Sequence, residues 1–465
     1  MRSRATLNLS LLTLALFCFA LHSKANASGL PDEPLAKNPQ ADTQTGISTS
    51  APAGTGETHV LTRQQAEQIA LVNNPAIHIS QLVAKVQHQV VRERRADELP
   101  NLTGNMTVVG AKNDGRVSSG SLTSSALFSH AGEGVELHQL ITDFGRTANL
   151  IASAKLQEKA RAADTEASRD DIVLAADQVF YQTIEAQETL KVAVQTVAAR
   201  QTLTDQISAL TASKLRSDLD RSFAQVNLSQ AQLLQLDAQD NLDSAKAALS
   251  EVLGFDKQID YELVDDSDNL PPLAPNSGDL IALAIANRPD LRSLIYSEQA
   301  AQKFSKAQHQ QLLPTISALG VVGQTPVGSP QYFTSDWYGA VGANLSIPIF
   351  NGFRFSAQAS EARQQAQVAS EQTRALRDRV ARDVRTAWLN ANTALQRVAV
   401  TAQLLTESNT ALDLASSRYD LGLSSIVELS QAQLQQTQAA ISNASARAQY
   451  NLTIAALNFQ IGVRP

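Results

Sequence analysis

The chain is nearly without cysteine. Its single thiol, Cys18, lies in an apolar segment at the N-terminus. Loss of that segment leaves none, which excludes disulfides, C-x-x-C redox chemistry and thiolate zinc sites. Aromatic residues are only 5% of the 465, with 2 Trp and 2 Met. Packing must therefore rest on small and aliphatic side chains. The 7 histidines are scattered: His78 and His88 stand ten apart, and His130 and His138 fall in a stretch that reads as strand. Neither pair has helical metal-ligand spacing, and H-E-x-x-H, Walker and G-x-S-x-G motifs are absent. The "DFG" at 143–145 lacks the catalytic loop that would make it a kinase signature. No catalytic residue, metal ligand or cofactor is expected, and an enzyme is not expected. Basic residues are the minority, 38 against 45 acidic, for a net charge of −7. Nucleic acid is therefore not an expected partner. After Leu21 no apolar run approaches the ~20 residues of a membrane helix.

What is present begins with an export signal. Arg2 and Arg4 precede an apolar run from Leu9 to Leu21, followed by Ala25-Asn26-Ala27. This pattern predicts a signal peptide over 1–27. Phe17 before Cys18 is too large for a lipoprotein signal, so no lipid anchor is expected. Residues 28–60 are rich in Pro, Gly, Ser, Thr, Asp and Asn and read as a flexible leader. Three locations fit so far: soluble in the periplasm, secreted, or crossing the outer membrane as a barrel.

The body repeats. "LVNNPAI" (71–77) is similar to "AIANRPD" (284–290), and "ELPNLTG" (98–104) to "QLLPTIS" (311–317), each 214 residues apart. From "TDFGRTANL" (142–150) and "FNGFRFSAQ" (350–358) onward the offset is 208, placing Phe180 on Trp388, Leu249 on Leu457 and Gly254 on Gly462. One indel in one connecting segment explains the change. The first repeat covers 61–256 and the second 278–465, with a linker at 257–277. Each reads as a helix (about 62–97 and 278–311), a strand pair (about 100–142 and 314–349), a long helix (about 145–211 and 352–419) and a return helix (about 217–254 and 425–462).

The strand pairs show period two. Asn101, Thr103, Asn105 and Thr107 alternate with Leu102, Gly104, Met106 and Val108, and Trp337, Val341, Ala343, Leu345 and Ile347 share one parity. Polar turns are expected at 112–121 and 323–331. Four strands cannot close a barrel, and their edges need partners. Three copies would supply twelve strands and a closed, lipid-spanning barrel. A small periplasmic sheet capping the helices is the plainer alternative. In the second long helix Val384, Trp388, Ala391, Leu395, Val398, Ala402, Leu405, Asn409, Leu412, Ser416 and Tyr419 step by 4 and 3, a coiled-coil seam. A helix over 352–419 is on the order of 100 Å long, a rod or a wall.

This order, twice, with "NNPAI" and "NRPDL", a Pro opening each strand pair, "ITDFGR" and "IFNGFR", and finally "RYDLGLSSIVELSQAQ", resembles the TolC-type outer-membrane efflux protein family. The resemblance covers about 60 to 463. It implies a mainly α fold with a β-barrel portion, assembled as a homotrimer: a 12-stranded barrel in outer-membrane lipid continuing into a long coiled α-helical periplasmic tunnel. It implies a passive, gated exit duct for a tripartite efflux pump or type I secretion system. The partners implied are a periplasmic adaptor and, through it, an inner-membrane pump of the resistance-nodulation-division or ABC type. A soluble coiled-coil scaffold and an efflux adaptor remain as alternatives.

The resemblance also assigns residues. Gly422 becomes the tip of the second helical hairpin, with Leu421, Leu423 and Ser424 in adaptor contact, and Lys214 and Leu215 the corresponding first tip. Ser424 or Ser425, and Ser217 or Asp218, are the expected caps of the return helices. Lys214 in place of glycine leads us to expect a differently shaped first tip. The family's locking arginine, two residues past the tip glycine, is replaced here by Ser424, so any lock must be built otherwise. Positions six and nine past the tip are implied to line a pore constriction: Glu428 and Gln431, and Asp220 and Phe223. Plainer readings stand beside these: a simple helix–turn–helix corner, acids favoured by a helix N-terminus, and a core phenylalanine.

Overall fold

The computed structural model describes residues 59–109, 115–117, 125–127, 130–256, 261–264, 270–324 and 337–463. The signal peptide and nearly all of the leader lie outside these residues, as does most of the turn at 323–331. Helices α1 (Arg63–Asn73) and α2 (Pro75–Ala96) lead to strands β2 (Asn101–Val109) and β5 (His130–Thr142), then to α3 (Arg146–Ala212) and α4 (Asp218–Val252). The second half repeats the order: α5 (Ser277–Asn287), α6 (Pro289–His309), β7 (Thr315–Gln324), β8 (Trp337–Ser346), α7 (Arg354–Asp420) and α8 (Ile426–Ile461).

The single helix expected at the start of each repeat is in fact two. Pro75 and Pro289 force the preceding residue out of the helical region, and Asn74 and Arg288 are extended at ψ 124° and 122°. Asn74 then caps α2 by accepting from the Ala76 amide at 2.9 Å. A proline at the first helical position costs no hydrogen bond, so the same residue ends one helix and starts the next.

Helices α3 and α7 each run 67 residues, roughly 100 Å at ~1.5 Å per residue. Helix α4 folds back along α3 and α8 along α7, while α3 also packs on α8. Helix α6 lies against both α3 and α7, joining the repeats. Alanine is the commonest buried residue, with Ala224, Ala231 and Ala238 at steps of seven along α4. Such small side chains let helix backbones approach closely. Beyond Ala394 the α7 seam follows expectation in part: Val398 and Tyr419 are buried and Leu405, Leu412 and Ser416 half-buried, but Ala402 and Asn409 are exposed, and Ser408 and Ala415, one position earlier than expected, are buried. The Asn409 amide oxygen instead accepts from Gln436 Nε2 on α8 at 3.1 Å. Serine and alanine on the closer flank admit the partner helix where a heptad counted from Val384 would place an asparagine.

The two strand pairs form one antiparallel sheet, ordered β2-β5-β7-β8. The β5–β7 junction, Val135 opposite Val322 and Leu137 opposite Gly320, is where the repeats join. At the facing Gly134 and Gly323 there is no room for a side chain: a Cβ on Gly323 would meet the Glu133 carbonyl oxygen at 2.6 Å. Among the described residues, β2 and β8 each pair along one edge only. Leu102, Met106, Val108, Val341 and Leu345 are exposed, Val341 to 92%. No described helix is long and apolar enough to cross a membrane.

Two short strand pairings are additions. The leader's last residues, His59 and Val60, belong to β1 (His59–Leu61), which pairs in parallel with β6 (Tyr261–Leu263) inside the supposed linker. Leu61 and Leu263 bury in a cluster with Ala176, Phe180, Leu249 and Leu253. Three-residue strands are too short for an alternation to register. Inside the expected polar turn at 112–121, β3 (Gly115–Val117) pairs with β4 (Ser125–Leu127).

Candidate functional site: the two hairpin tips

The two hairpins end alike. After α7, Gly422 is left-handed at φ 73°. Its amide donates to the Tyr419 carbonyl (3.0 Å), and that of Leu423 to the Arg418 carbonyl (2.8 Å). After α3, Lys214 is left-handed at φ 61°, and the same two bonds recur, Lys214 to Thr211 and Leu215 to Leu210, both at 2.9 Å. These are paired Schellman closures. The expectation of a differently shaped first tip is therefore overturned. Lysine accepts the conformation that glycine takes freely, at a cost of about 1 kcal/mol.

Beyond the closures both tips are apolar and open. Leu215, Leu421 and Leu423 are 72%, 74% and 68% exposed. Nothing lies within 4 Å of a Cβ placed on Gly422. Ser424 is half-buried, its hydroxyl oxygen without a partner. The cap of α8 is Ser425, accepting from the Glu428 amide at 3.3 Å. The cap of α4 is Ser217, in a reciprocal box with Asp220: Ser217 Oγ accepts from the Asp220 amide (3.1 Å), and Asp220 Oδ2 from the Ser217 amide (3.3 Å).

The four constriction candidates are not equivalent. Asp220 is engaged by that box. Glu428 faces Arg418 across the second tip at 3.5 Å, so its charge is partly offset. Phe223 is 40% exposed, more than a core side chain, and Gln431 is exposed.

One residue that sequence reasoning passed over is central. Arg216 Nη2 donates to the Tyr419 carbonyl oxygen at 3.1 Å, and its guanidinium lies 4.3 Å from the Tyr419 ring centre. Arg216 belongs to the first tip and Tyr419 to the second, so this contact ties the two hairpins. Below it Ile207, Ala224, Tyr419, Ile426 and Leu429 form a common apolar cluster, and Asn227 Nδ2 donates to Ser430 Oγ at 2.7 Å. The signal was available: Ser424 less the 208 offset is residue 216. Burial pushes the Tyr419 hydroxyl above its ordinary range; Arg216 opposes that, and Asp220 and Asp420 add to it. The hydroxyl oxygen itself has no partner.

A second polar cluster lies in the first repeat, between α1 and α3. Arg63 pairs with Glu67 and lies 3.5 Å from Asp177 Oδ2. Glu67 and Asp177 are both buried, Asp177 to 5% exposure, and Asp177 Oδ1 has no partner. Burial, then the neighbouring Glu67 carboxylate, pushes Asp177 up to about 7, against the pull of Arg63. The corresponding α5–α7 junction is apolar, with Ile281, Ala284, Val380 and Val384 packed together.

The family described as "Outer membrane efflux protein" matches residues 67–255 and 280–463, one match per repeat. The outer membrane efflux protein BepC of Brucella suis biovar 1 (strain 1330) is 23% identical over 352 residues, 74% of this chain and 73% of that protein. The alkaline protease secretion protein AprF of Pseudomonas aeruginosa is 29% identical over 140 residues, 30% of this chain and 29% of AprF. The Campylobacter jejuni CmeC outer membrane channel superposes with a TM-score of 0.74 at 16% identity, covering 86% of this chain and 85% of that one.

Proposed function

This chain belongs to the outer membrane efflux protein family, and from that premise we propose that it is the exit duct of a tripartite efflux pump or type I secretion system, working as a homotrimer. The carrying observation is the four-stranded antiparallel sheet with both edges open, set at one end of two 67-residue helices. Strands of 9, 13, 10 and 10 residues suit a bilayer, which takes about 9–11. In lipid an open edge leaves backbone groups unsatisfied. Pairing β8 of one copy with β2 of the next closes a twelve-stranded ring from three copies. The exposed Leu102, Met106, Val108 and Val341 then form part of its lipid face.

The helical hairpins extend away from that ring into the periplasm, with the tips at their far end. Leu421, Gly422, Leu423 and Ser424, with Lys214 and Leu215, form the adaptor-docking surface. Exposed leucines on a rigid Schellman frame suit burial against another helical hairpin. Glu428, Asp220, Phe223 and Gln431 line the constriction, and Arg216 on Tyr419 holds the hairpin pair in its closed arrangement. Conduction is passive once the tips part, and the energy comes from an inner-membrane pump. AprF, a secretion protein by name, supports including type I secretion beside efflux.

The test is single-channel conductance of the purified protein in a planar bilayer, wild type against Glu428→Ala. Small, cation-selective openings that lose selectivity in the variant are expected. Unchanged openings would remove Glu428 from the constriction, and no conductance from folded trimers would remove the duct itself.

A further inference from the structure

We propose that the cavity bounded by α1, the middle of α3 and the end of α8 is a binding site for an organic monocation with an apolar body. The cavity is about 880 Å³, within the range of small-molecule sites, ~300–1,000 Å³. Its floor carries the Glu67–Asp177 pair, and among its lining residues the acids Glu67, Asp170 and Asp177 outnumber the bases Arg63 and Arg169. Leu71, Leu174 and Ile454 give it apolar walls, and Tyr181 adds an aromatic ring, a surface that cations favour. Lining residues come from both repeats, so an occupant would bridge them.

The independent pointer to a ligand is Asp177. It is almost wholly buried, lines the cavity, and keeps one carboxylate oxygen without any partner. Buried carboxylates are paired or neutralised. Arg63 offsets one charge of the pair and leaves the other. A proton can cancel it, or a cation entering from the cavity can. α8 and the linker bring Asn451, Ile454, Asn458, Phe459 and Pro271 among others to this surface, none of them charged, so neither supplies the missing charge. The α5–α7 junction, with Ile281 where the first repeat has Glu67, needs none. The charged cluster is thus no requirement of the fold.

Proton and ligand compete for one position. With Asp177 titrating at about 7, affinity should rise roughly thirtyfold between about pH 5.5 and 8.5 as the carboxyl ionises. The probe is benzyltriethylammonium, a permanent cation, so any pH dependence belongs to the protein. Calorimetric titration of the full chain in detergent should give saturable binding at pH 8.5. Asp177→Asn should cost at least tenfold in affinity and abolish the pH dependence. Leu174→Trp, which fills the cavity and leaves the carboxylates in place, should abolish binding, while Glu407→Gln on the exposed face of α7 should leave it unchanged. Absence of saturable binding by folded wild-type protein, pH-independent binding, or full binding by Asp177→Asn or Leu174→Trp would each overturn the site.

Discussion

Arg216→Ala is the most direct perturbation of the proposed closed arrangement. Arg216 contributes one charge-assisted hydrogen bond at 3.1 Å and one ring contact at 4.3 Å, both to Tyr419. A hydrogen bond to a charged group contributes about 1.5–3 kcal/mol, and a partly exposed cation–π contact about 0.5–1. Arg216 is half-exposed, so water recovers part of the loss, and ~1–2 kcal/mol per protomer is the reasonable figure. In the proposed homotrimer, three copies acting together would shift the closed-to-open balance by roughly 3–6 kcal/mol, on the order of a hundred- to ten-thousandfold. The assay is single-channel recording, with open time and conductance as readouts. Arg216→Lys keeps the charge but loses the planar stack and should fall between wild type and alanine. Intact Arg216→Ala trimers with wild-type open time would show that the Arg216–Tyr419 contact survives opening, and the lock would have to lie elsewhere.

The other predictions concern stability and assembly. Lys214→Gly should relieve the left-handed strain at the first tip and raise stability by about 1 kcal/mol, read as a shift in the denaturation midpoint; Gly422→Lys should lose a similar amount. Asp177 is raised from about 3.9 unfolded to about 7 folded. Its stabilising share is complete below about pH 4 and is lost as pH rises through about 7, up to ~4 kcal/mol in all. Asp290 runs the other way: burial raises it, but hydrogen bonding and the charge of Arg288 outweigh that. The measured quantity is therefore the difference between wild type and Asp177→Asn, which should grow from pH 5 to pH 8; a flat difference would refute the assignment. Gly323→Ala forces a methyl against the Glu133 carbonyl and should sharply lower trimer yield, whereas Gly342→Ala, with nothing within 4 Å, should assemble normally.

Residues that act through local periodicity were readable in the sequence. The resemblance placed the second tip at Gly422 and the 208-residue offset carried it to Lys214, and both long helices end within a residue of expectation. Contacts that depend on where distant elements meet were not readable. Nothing in "HVL" or "YEL" says that these three-residue segments pair across 200 residues. A heptad count from Val384 cannot see that α8 approaches from the Ser408 side. Lys214 misled because composition suggests a shape that the hydrogen bonds of the preceding turn override. Arg216 was missed for a simpler reason: the offset was used to find glycine's counterpart and not that of the serine two residues on.

The open edges of the sheet set the order of events in biogenesis. Within one chain the repeats meet at β5 and β7; between chains β8 would meet β2, again a second-repeat strand against a first-repeat strand. To the lipid the six joints of a three-copy ring are nearly interchangeable, and chain boundaries disappear. A lone protomer in the bilayer would expose two rows of unpaired amides and carbonyls, each costing several kcal/mol. Folding into the membrane and finding two partners are then a single event. Dilution after insertion should not release monomers, and a mixed ring built with one edge-defective copy should fail as a whole.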